Sequence, residues 1–423
     1  MTSRISKFYQ KSPEERLNTV SEFAGLSEED KKTLSGETPF SINQADRMIE
    51  NVIGTFPVPL GLATNFKVDG KDVFIPMATE EPSVVAAVSH AAKFAYSAGG
   101  FHTSYSGSIM RAQVQVTGLT NPYFALAKIY EAKEELLVFC NEQDPTLVSF
   151  GGGAIDIEVK MAKGAYENML VVHLIVDTKD AMGANTVNTM AEASAPLIEK
   201  ITGGQVVLRI LSNLADRRVV RARAVFENPF GDDHEAISRF FAAYDLAVHD
   251  PYRATTHNKG IMNGITAAVM ATGNDTRAIE AGAHAYAARS GKYQSLTHYE
   301  RAENGDIHGT IELPLSVGLV GGATQSHPVA KTVTKLLNVK TAEELSGIIG
   351  SVGLAQNFAG LKALATEGIQ KGHMKLHARN MAAMAGAKEN QIDKVLTIAS
   401  EEAGAYTFDK IKEIVERLQA EVN

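Results

Sequence analysis

Met169-Leu170-Val171-Val172-His173-Leu174-Ile175-Val176 runs into Asp177-Thr178-Lys179-Asp180-Ala181-Met182-Gly183-Ala184-Asn185, and the fold turns on this stretch. The first half is a near-continuous apolar run of strand length; the second is a polar, glycine-containing loop. Working outward, Ile155, Ile157, Val159 and Met161 alternate with Asp156, Glu158 and Lys160, which predicts a second strand just after Gly151-Gly152-Gly153. Farther upstream, Asn121-Pro122 is a cap followed by a first-turn proline. The helix it opens places Ala125, Ile129, Ala132, Leu136 and Phe139 at helical spacing. A strand from Arg111 to Val116 precedes it. Downstream, a helix from Thr186 to Ile201 and a strand from Gln205 to Leu211 complete the series. The order is β-α-β-β-α-β.

That order defines a split βαβ, ferredoxin-like unit over residues 108–212. No G-x-G-x-x-G follows a strand, so the usual dinucleotide fingerprint is missing. On either side the pattern differs. Residues 1–50 are polar and helical, with Ser12-Pro13-Glu14-Glu15 and Leu26-Ser27-Glu28-Glu29-Asp30 as helix starts. Asp69-Gly70, between Leu60–Val68 and Asp72–Met77, signals a hairpin. A small-residue helix follows with Val84, Val88, Ala91 and Ala95 on one stripe, ending at Gly99-Gly100. Beyond residue 213, helices are expected at 233–248, 276–289, 341–350 and 353–367, with a hairpin about Asn304-Gly305 joining strands at 293–299 and 307–313. Residues 374–423 hold amphipathic helices that form a mobile lid or a packed tail. The reading is an α+β fold: a large, mainly helical domain (1–107 and 213–367), an inserted small domain (108–212) and a C-terminal helical unit (368–423).

Composition narrows the function. The 423 residues are 44% hydrophobic and 21% charged, ordinary for a globular protein. A net charge of −8 with no basic run argues against nucleic acid and anionic membranes as partners. The single cysteine, Cys140, excludes an intramolecular disulfide and a cysteine-rich metal site. Neither a signal-peptide h-region nor a membrane-spanning run is expected, and a cytoplasmic location follows.

The most chemically loaded stretch is Asp250-Pro251-Tyr252-Arg253-Ala254-Thr255-Thr256-His257-Asn258-Lys259-Gly260-Ile261-Met262-Asn263-Gly264. It reads either as a polar loop capping a helix or as an anion-handling loop. In the second case Arg253 forks a carboxylate and Lys259 is a point charge at the reacting centre. Gly260 and Gly264 are expected to let the chain bend on both sides of Ile261-Met262.

With Glu80-Glu81-Pro82-Ser83, the loop Asp180–Asn185 continuing to Glu192, Gly273-Asn274-Asp275 and Gly368-Ile369-Gln370-Lys371-Gly372-His373-Met374, this stretch makes the chain resemble the class II, bacterial-type 3-hydroxy-3-methylglutaryl-CoA (HMG-CoA) reductases. The resemblance runs from Glu50-Asn51-Val52-Ile53-Gly54 to about residue 380. It implies a large domain carrying HMG-CoA, a small ferredoxin-like domain carrying the nicotinamide cofactor, and a C-terminal flap. The implied reaction interconverts HMG-CoA with mevalonate and CoA by two hydride transfers. The family's oxyanion-stabilising lysine matches Lys259, its glutamate Glu81, its linking aspartate Asp275, and its acid for the CoA sulfur His373. Ser83, Arg253 and Asn263 match positions that hold the HMG carboxylate and hydroxyl. Asp180, Met182, Gly183, Ala184 and Asn185 match the cofactor loop, and Asp144 a ribose-binding aspartate. A carboxylate there favours NADH over NADPH, which stays as the alternative. The resemblance implies no metal, although His373 and His377 are spaced i, i+4. It also implies a homodimer, or a higher oligomer built on it, with the active site where subunits meet. Tyr9 stands where some relatives carry a basic residue for CoA phosphate, and Ala154 where some carry a cysteine. A non-catalytic CoA-ester binding protein on the same scaffold is the reading from another class. It predicts loss of one of Glu81, Lys259, Asp275 or His373, and all four are present.

Overall fold

The computed structural model describes residues 2–38, 40–366, 368, 378–403 and 407–420. The N-terminal helices α1 (Pro13–Ala24), α2 (Glu28–Ser35) and α3 (Ile42–Asp46) each open on a capping box, with Ser12, Ser27 and Ser41 as the caps. The hairpin of β1 (Leu60–Val68) and β2 (Lys71–Ala78) closes through the two residues Asp69 and Gly70, both at positive φ. Next come α4 (Val84–Tyr96) and β3 (Phe101–Tyr105).

The chain then builds the small unit. Its elements are β4 (Ile109–Thr117), α5 (Pro122–Glu131), α6 (Lys133–Glu142), α7 (Pro145–Ser149), β5 (Gly153–Lys163), β6 (Asn168–Asp177), α8 (Ala184–Thr202) and β7 (Gln205–Ser212). Its sheet order is β5-β6-β4-β7, with every neighbouring pair antiparallel, the arrangement of a ferredoxin-like unit. Helices cover one face around a core that includes Met110, Val114, Ile129, Leu174 and Val187. Two details differ from the sequence reading. The helix expected through Ala125 and Phe139 is broken at Ala132 into α5 and α6. In β5 the alternation fails at Ile155, which is 53% exposed, because a register shift between Ala154 and Asp156 puts an extra residue into the strand.

The large unit resumes with β8 (Val219–Phe226), α9 (His234–His249), α10 (Pro251–Ala271), α11 (Thr276–Ala287), β9 (Thr297–Arg301), β10 (Ile307–Pro314), α12 (Ala323–Ser326), α13 (Pro328–Leu337) and α14 (Ala342–Ala365). Its sheet runs β2-β1-β3-β8-β10-β9. The stretch from Asp250 to Gly264 is therefore not a loop: it is the first two-thirds of a continuous helix, capped by the Asp250 side chain on the Arg253 N–H. Neither glycine bends it. A Cβ on Gly264 would stand 3.0 Å from Val352 and Gln356 of α14, so this glycine lets two helices approach, while Gly260 has open space beside it.

The two helices expected at 341–350 and 353–367 are likewise one, α14, buried for nearly its whole length. Gly347, Gly350 and Gly353 bring it down onto Thr103, Val220 and Ile265 instead of interrupting it. By length and composition α14 passes for a membrane span, contrary to the sequence reading, but 72% of its apolar window is buried in the protein, as befits a core helix. Its Phe358 clusters with Phe226, Phe240 and Tyr299. At the C-terminus, helices Glu389–Ala403 and Phe408–Ala420 share a separate core of Val395, Ala399, Ile411, Ile414 and Leu418.

Candidate active site

Two elements supply the first cluster. Along α10, Arg253, Thr256, Lys259 and Asn263 follow one another at intervals of three or four residues, so they share one helix face, with the side-chain-free Gly260 beside them. Against this face stands the turn that leads from β2 into α4. Glu81 lies in that turn, ahead of the helix, so it is not one of the first-turn acids that merely complement a dipole. Its carboxylate is 3.5 Å from the Lys259 ammonium. Ser83 follows at φ 77, a left-handed conformation that is costly for a residue with a Cβ. Its Oγ is buried and has no hydrogen-bond partner among the described residues. A strained residue aiming an unsatisfied hydroxyl is a site built for something else to complete.

Arg253 is half-buried, and burial alone pulls its pKa down. Among the described residues it makes no ion pair, so its guanidinium is free to fork an incoming carboxylate. The Gln356 Oε1, from α14, is also buried without a partner next to Gly264. Neither spacing nor composition marks Gln356 in the sequence; only the packing of α14 on α10 brings it here.

His257 is not part of this face. It is 1% exposed, and its Nε2 lies 2.8 Å from Ser295 Oγ, 2.9 Å from Thr297 Oγ1 and 3.1 Å from Asn357 Nδ2. An amide nitrogen can only donate, so Nε2 accepts and the ring is neutral. Burial, helped by the Arg253 charge, pushes its pKa down to about 3. It is a structural histidine.

Asp275 stands apart from the Lys259–Glu81 pair. It caps α11, accepting the N–H groups of Arg277 and Ala278 at 3.0 Å each. Lys259 and the end of α10 at Ala271 are separated by ~18 Å of helix rise, and Asp275 lies beyond that end. Within one chain the two cannot touch. His373 and His377 lie outside the described residues.

The second cluster is the loop between β6 and α8. Gly183 caps α8 at φ 95 with no side-chain cap, leaving the N–H groups of the first turn available for an anion. A Cβ on Gly183 would come within 2.3 Å of Thr178. Asp180 ties the loop to the large unit: its Oδ1 accepts from the N–H of Ala342, and its carbonyl from the N–H of Leu319. Met182 lies against Gly318. Asp144 caps α7, with Oδ1 accepting from Leu147 and Oδ2 from Thr186 Oγ1 at 2.9 Å. Thr186 is in the first turn of α8, so the Asp144 carboxylate sits beside the loop. A residue the sequence does not advertise, Arg218, binds the loop from beneath.

A lysine paired with a carboxylate, an unpaired arginine and an orphan hydroxyl suit a carboxylate-bearing carbonyl substrate. An uncapped helix start beside a carboxylate suits a dinucleotide. Comparison with known proteins agrees with both. Residues 12–378 match the family model for hydroxymethylglutaryl-coenzyme A reductase. A 3-hydroxy-3-methylglutaryl-coenzyme A reductase of Archaeoglobus fulgidus is 56% identical over 99% of this chain and 96% of that one. A probable one of Borreliella burgdorferi is 34% identical over 98% and 95%. Among solved structures, a reductase of Streptococcus pneumoniae matches with TM-score 0.83 and 41% identity over 98% of this chain and 99% of that one. The class II enzyme of the same organism, bound to NADPH in open conformations, matches with TM-score 0.82 and 42% identity, over 85% and 99%. The chain belongs to the hydroxymethylglutaryl-coenzyme A reductase family. Within that family it is of the class II, bacterial type.

Proposed function

We propose that the protein interconverts HMG-CoA with mevalonate and free CoA by two successive hydride transfers, with NADH as the reductant. The observation that carries the reading is the α10 face, with Lys259 against Glu81 and an unpaired Arg253 two turns away. Arg253, Asn263 and the Ser83 hydroxyl would hold the HMG carboxylate and hydroxyl. Lys259 would stabilise the oxyanion that forms as hydride reaches the thioester carbon, a preorganised charge aimed where charge develops. Glu81 would deliver the proton that neutralises it. His373, in the role the family gives its match, would protonate the departing CoA thiolate. Residues 108–212 would carry the cofactor on the loop 180–185, and residues 368–423 would form the flap.

The spacing of Asp275 supports a homodimeric site. It cannot reach Lys259 of its own chain, yet the family's aspartate links lysine and glutamate, so the Asp275 that completes each site belongs to a second copy. Exposed apolar side chains on the irregular segment after α3, notably Ile49, Ile53 and Phe56, offer that copy a surface to cover.

For the cofactor, the Asp144 carboxylate next to α8 would accept from a ribose 2′-hydroxyl and repel a 2′-phosphate. The NADPH named in the Streptococcus structure keeps NADPH as the second reading. Oxidation of NADH and of NADPH by HMG-CoA, followed at 340 nm, tests both. Lys259→Ala should lower the rate by at least ~10²-fold while melting as wild type does. No turnover with either nucleotide would overturn the proposal; a higher kcat/KM with NADPH would select the second reading.

A further inference from the structure

Arg218, just before β8, is wholly buried, yet its hydrogen-bond acceptors are neutral. Nη1 donates to Thr178 Oγ1 at 2.9 Å and to the carbonyls of Ala181 and Met182 at 3.1 and 3.3 Å. Nη2 donates to the Val317 carbonyl at 2.5 Å. Burying a guanidinium is costly, and although the charges of Asp177 and Asp180 favour it, its direct partners are neutral. What this arrangement does secure is geometry. A trans peptide points its C=O and N–H in opposite directions. With the Met182 carbonyl held against Arg218, the Gly183 N–H is turned away from it, alongside the first-turn N–H groups of α8. Thr178 reinforces the turn by donating to the carbonyls of Ser108 and Ala181.

The grip extends to the catalytic side. Val317, the fourth acceptor, opens a short strut. Gly318 N–H donates to Asn274 Oδ1 at 2.8 Å, Leu319 N–H donates to the Asp180 carbonyl at 2.8 Å, and Val320 bridges Ala181. Asn274 is the residue before Asp275. The loop expected to hold the cofactor and the turn that carries Asp275 are thus fastened to one four-residue segment, and Arg218 spans loop and segment.

We infer that Arg218 is a positioning residue for hydride transfer: it turns the loop's N–H groups outward to receive the cofactor's phosphates and holds that receptor in register with Asp275. The inference rests on reading residues 180–185 as the cofactor loop. Its test uses the full-length protein, titrating NADH and NADPH by fluorescence without HMG-CoA, and HMG-CoA by calorimetry without nucleotide. Arg218→Lys keeps the charge but cannot span Thr178, two loop carbonyls and Val317 together. It should weaken nucleotide binding about tenfold and lower kcat, with HMG-CoA affinity within about twofold of wild type. Should Arg218→Lys fail to fold, Gly318→Ala reads the same register, since its Cβ would come within 2.3 Å of the Met182 nitrogen. A folded variant whose nucleotide and HMG-CoA affinities are both unchanged, or fall in parallel, overturns the inference. A wild-type protein that binds neither nucleotide overturns the cofactor reading beneath it, a result separable from the first.

Discussion

Single residues here divide into those the core has completed and those it has left open. His173 belongs to the first kind, and so does His257 at its Nε2, although its buried Nδ1 has no partner among the described residues. Burial pushes His173 down to about 4, with Arg111 adding to the effect from 2.8 Å, and His257 down to about 3. Both values lie below the unfolded one of about 6.5. As pH falls below ~6.5 the unfolded chain gains protons that the folded chain refuses, so stability is complete above that pH and is lost toward the folded values. Each histidine contributes a slope approaching ~1.4 kcal/mol per pH unit inside this window. Urea midpoints measured from about pH 6.5 down to 5, above the range where most carboxylates titrate, should fall steadily. His257→Gln should flatten that dependence; an equally steep profile in the variant would refute the assignment. Ser83, Arg253 and Gln356 are of the second kind, polar groups the fold leaves unanswered. In the sequence the two kinds look alike. His257 and Arg253 sit four residues apart in one polar stretch, and only their neighbours on α14 and at residues 295–297 tell them apart.

At the level of elements, α10 carries a conflict between stability and use. Glycine inside a helix costs roughly 0.5–1 kcal/mol relative to alanine. Gly264 has a packing reason for that cost, since a Cβ would press on Val352 and Gln356 at 3.0 Å. Gly260 has none, because nothing lies within 4 Å of its missing Cβ. Its position among Arg253, Lys259 and Asn263 supplies a reason on the proposed function: the gap would be the floor of the substrate face. Gly260→Ala should therefore raise the melting temperature slightly, in line with ~0.5–1 kcal/mol, while raising KM for HMG-CoA. Gly264→Ala should instead lower the melting temperature. Calorimetry with steady-state kinetics on the pair checks both, and a Gly260→Ala enzyme with unaltered KM would remove the floor from the argument. The same helix shows where periodicity misleads. The small unit was legible because its strands and helices have clean apolar patterns, apart from the bulge at Ile155. The stretch that forms α10 resembles a loop in sequence because one of its faces is polar and its glycines imitate turns. The sequence predicts two helices where α14 is one because glycines that serve close packing imitate breaks.

For the whole molecule, the decisive quantity is the reach of α10. The signature residues Glu81, Lys259 and Asp275 are all visible in the sequence, and the resemblance they carry implies a site between subunits, but which of them would come from which chain is not legible there. The proposal rests on the ~18 Å of helix rise between Lys259 and Ala271, with Asp275 lying beyond that end. In the twofold-symmetric dimer proposed above, each site would take Lys259, Glu81, Ser83, Arg253 and Asn263 from one copy and Asp275, with its proposed cofactor loop, from the other. Because an isologous interface builds both sites alike, complementation should expose it. Lys259→Ala and Asp275→Ala homodimers should each be nearly inactive, since every site lacks one group. After the two are mixed, unfolded and refolded in equal amounts, half the dimers should be mixed ones. In each of these, one site carries both lesions and the other carries neither. The mixture should then recover about a quarter of wild-type activity if subunits pair at random. If all the groups came from one chain, every site would still lack one of them and no activity would return.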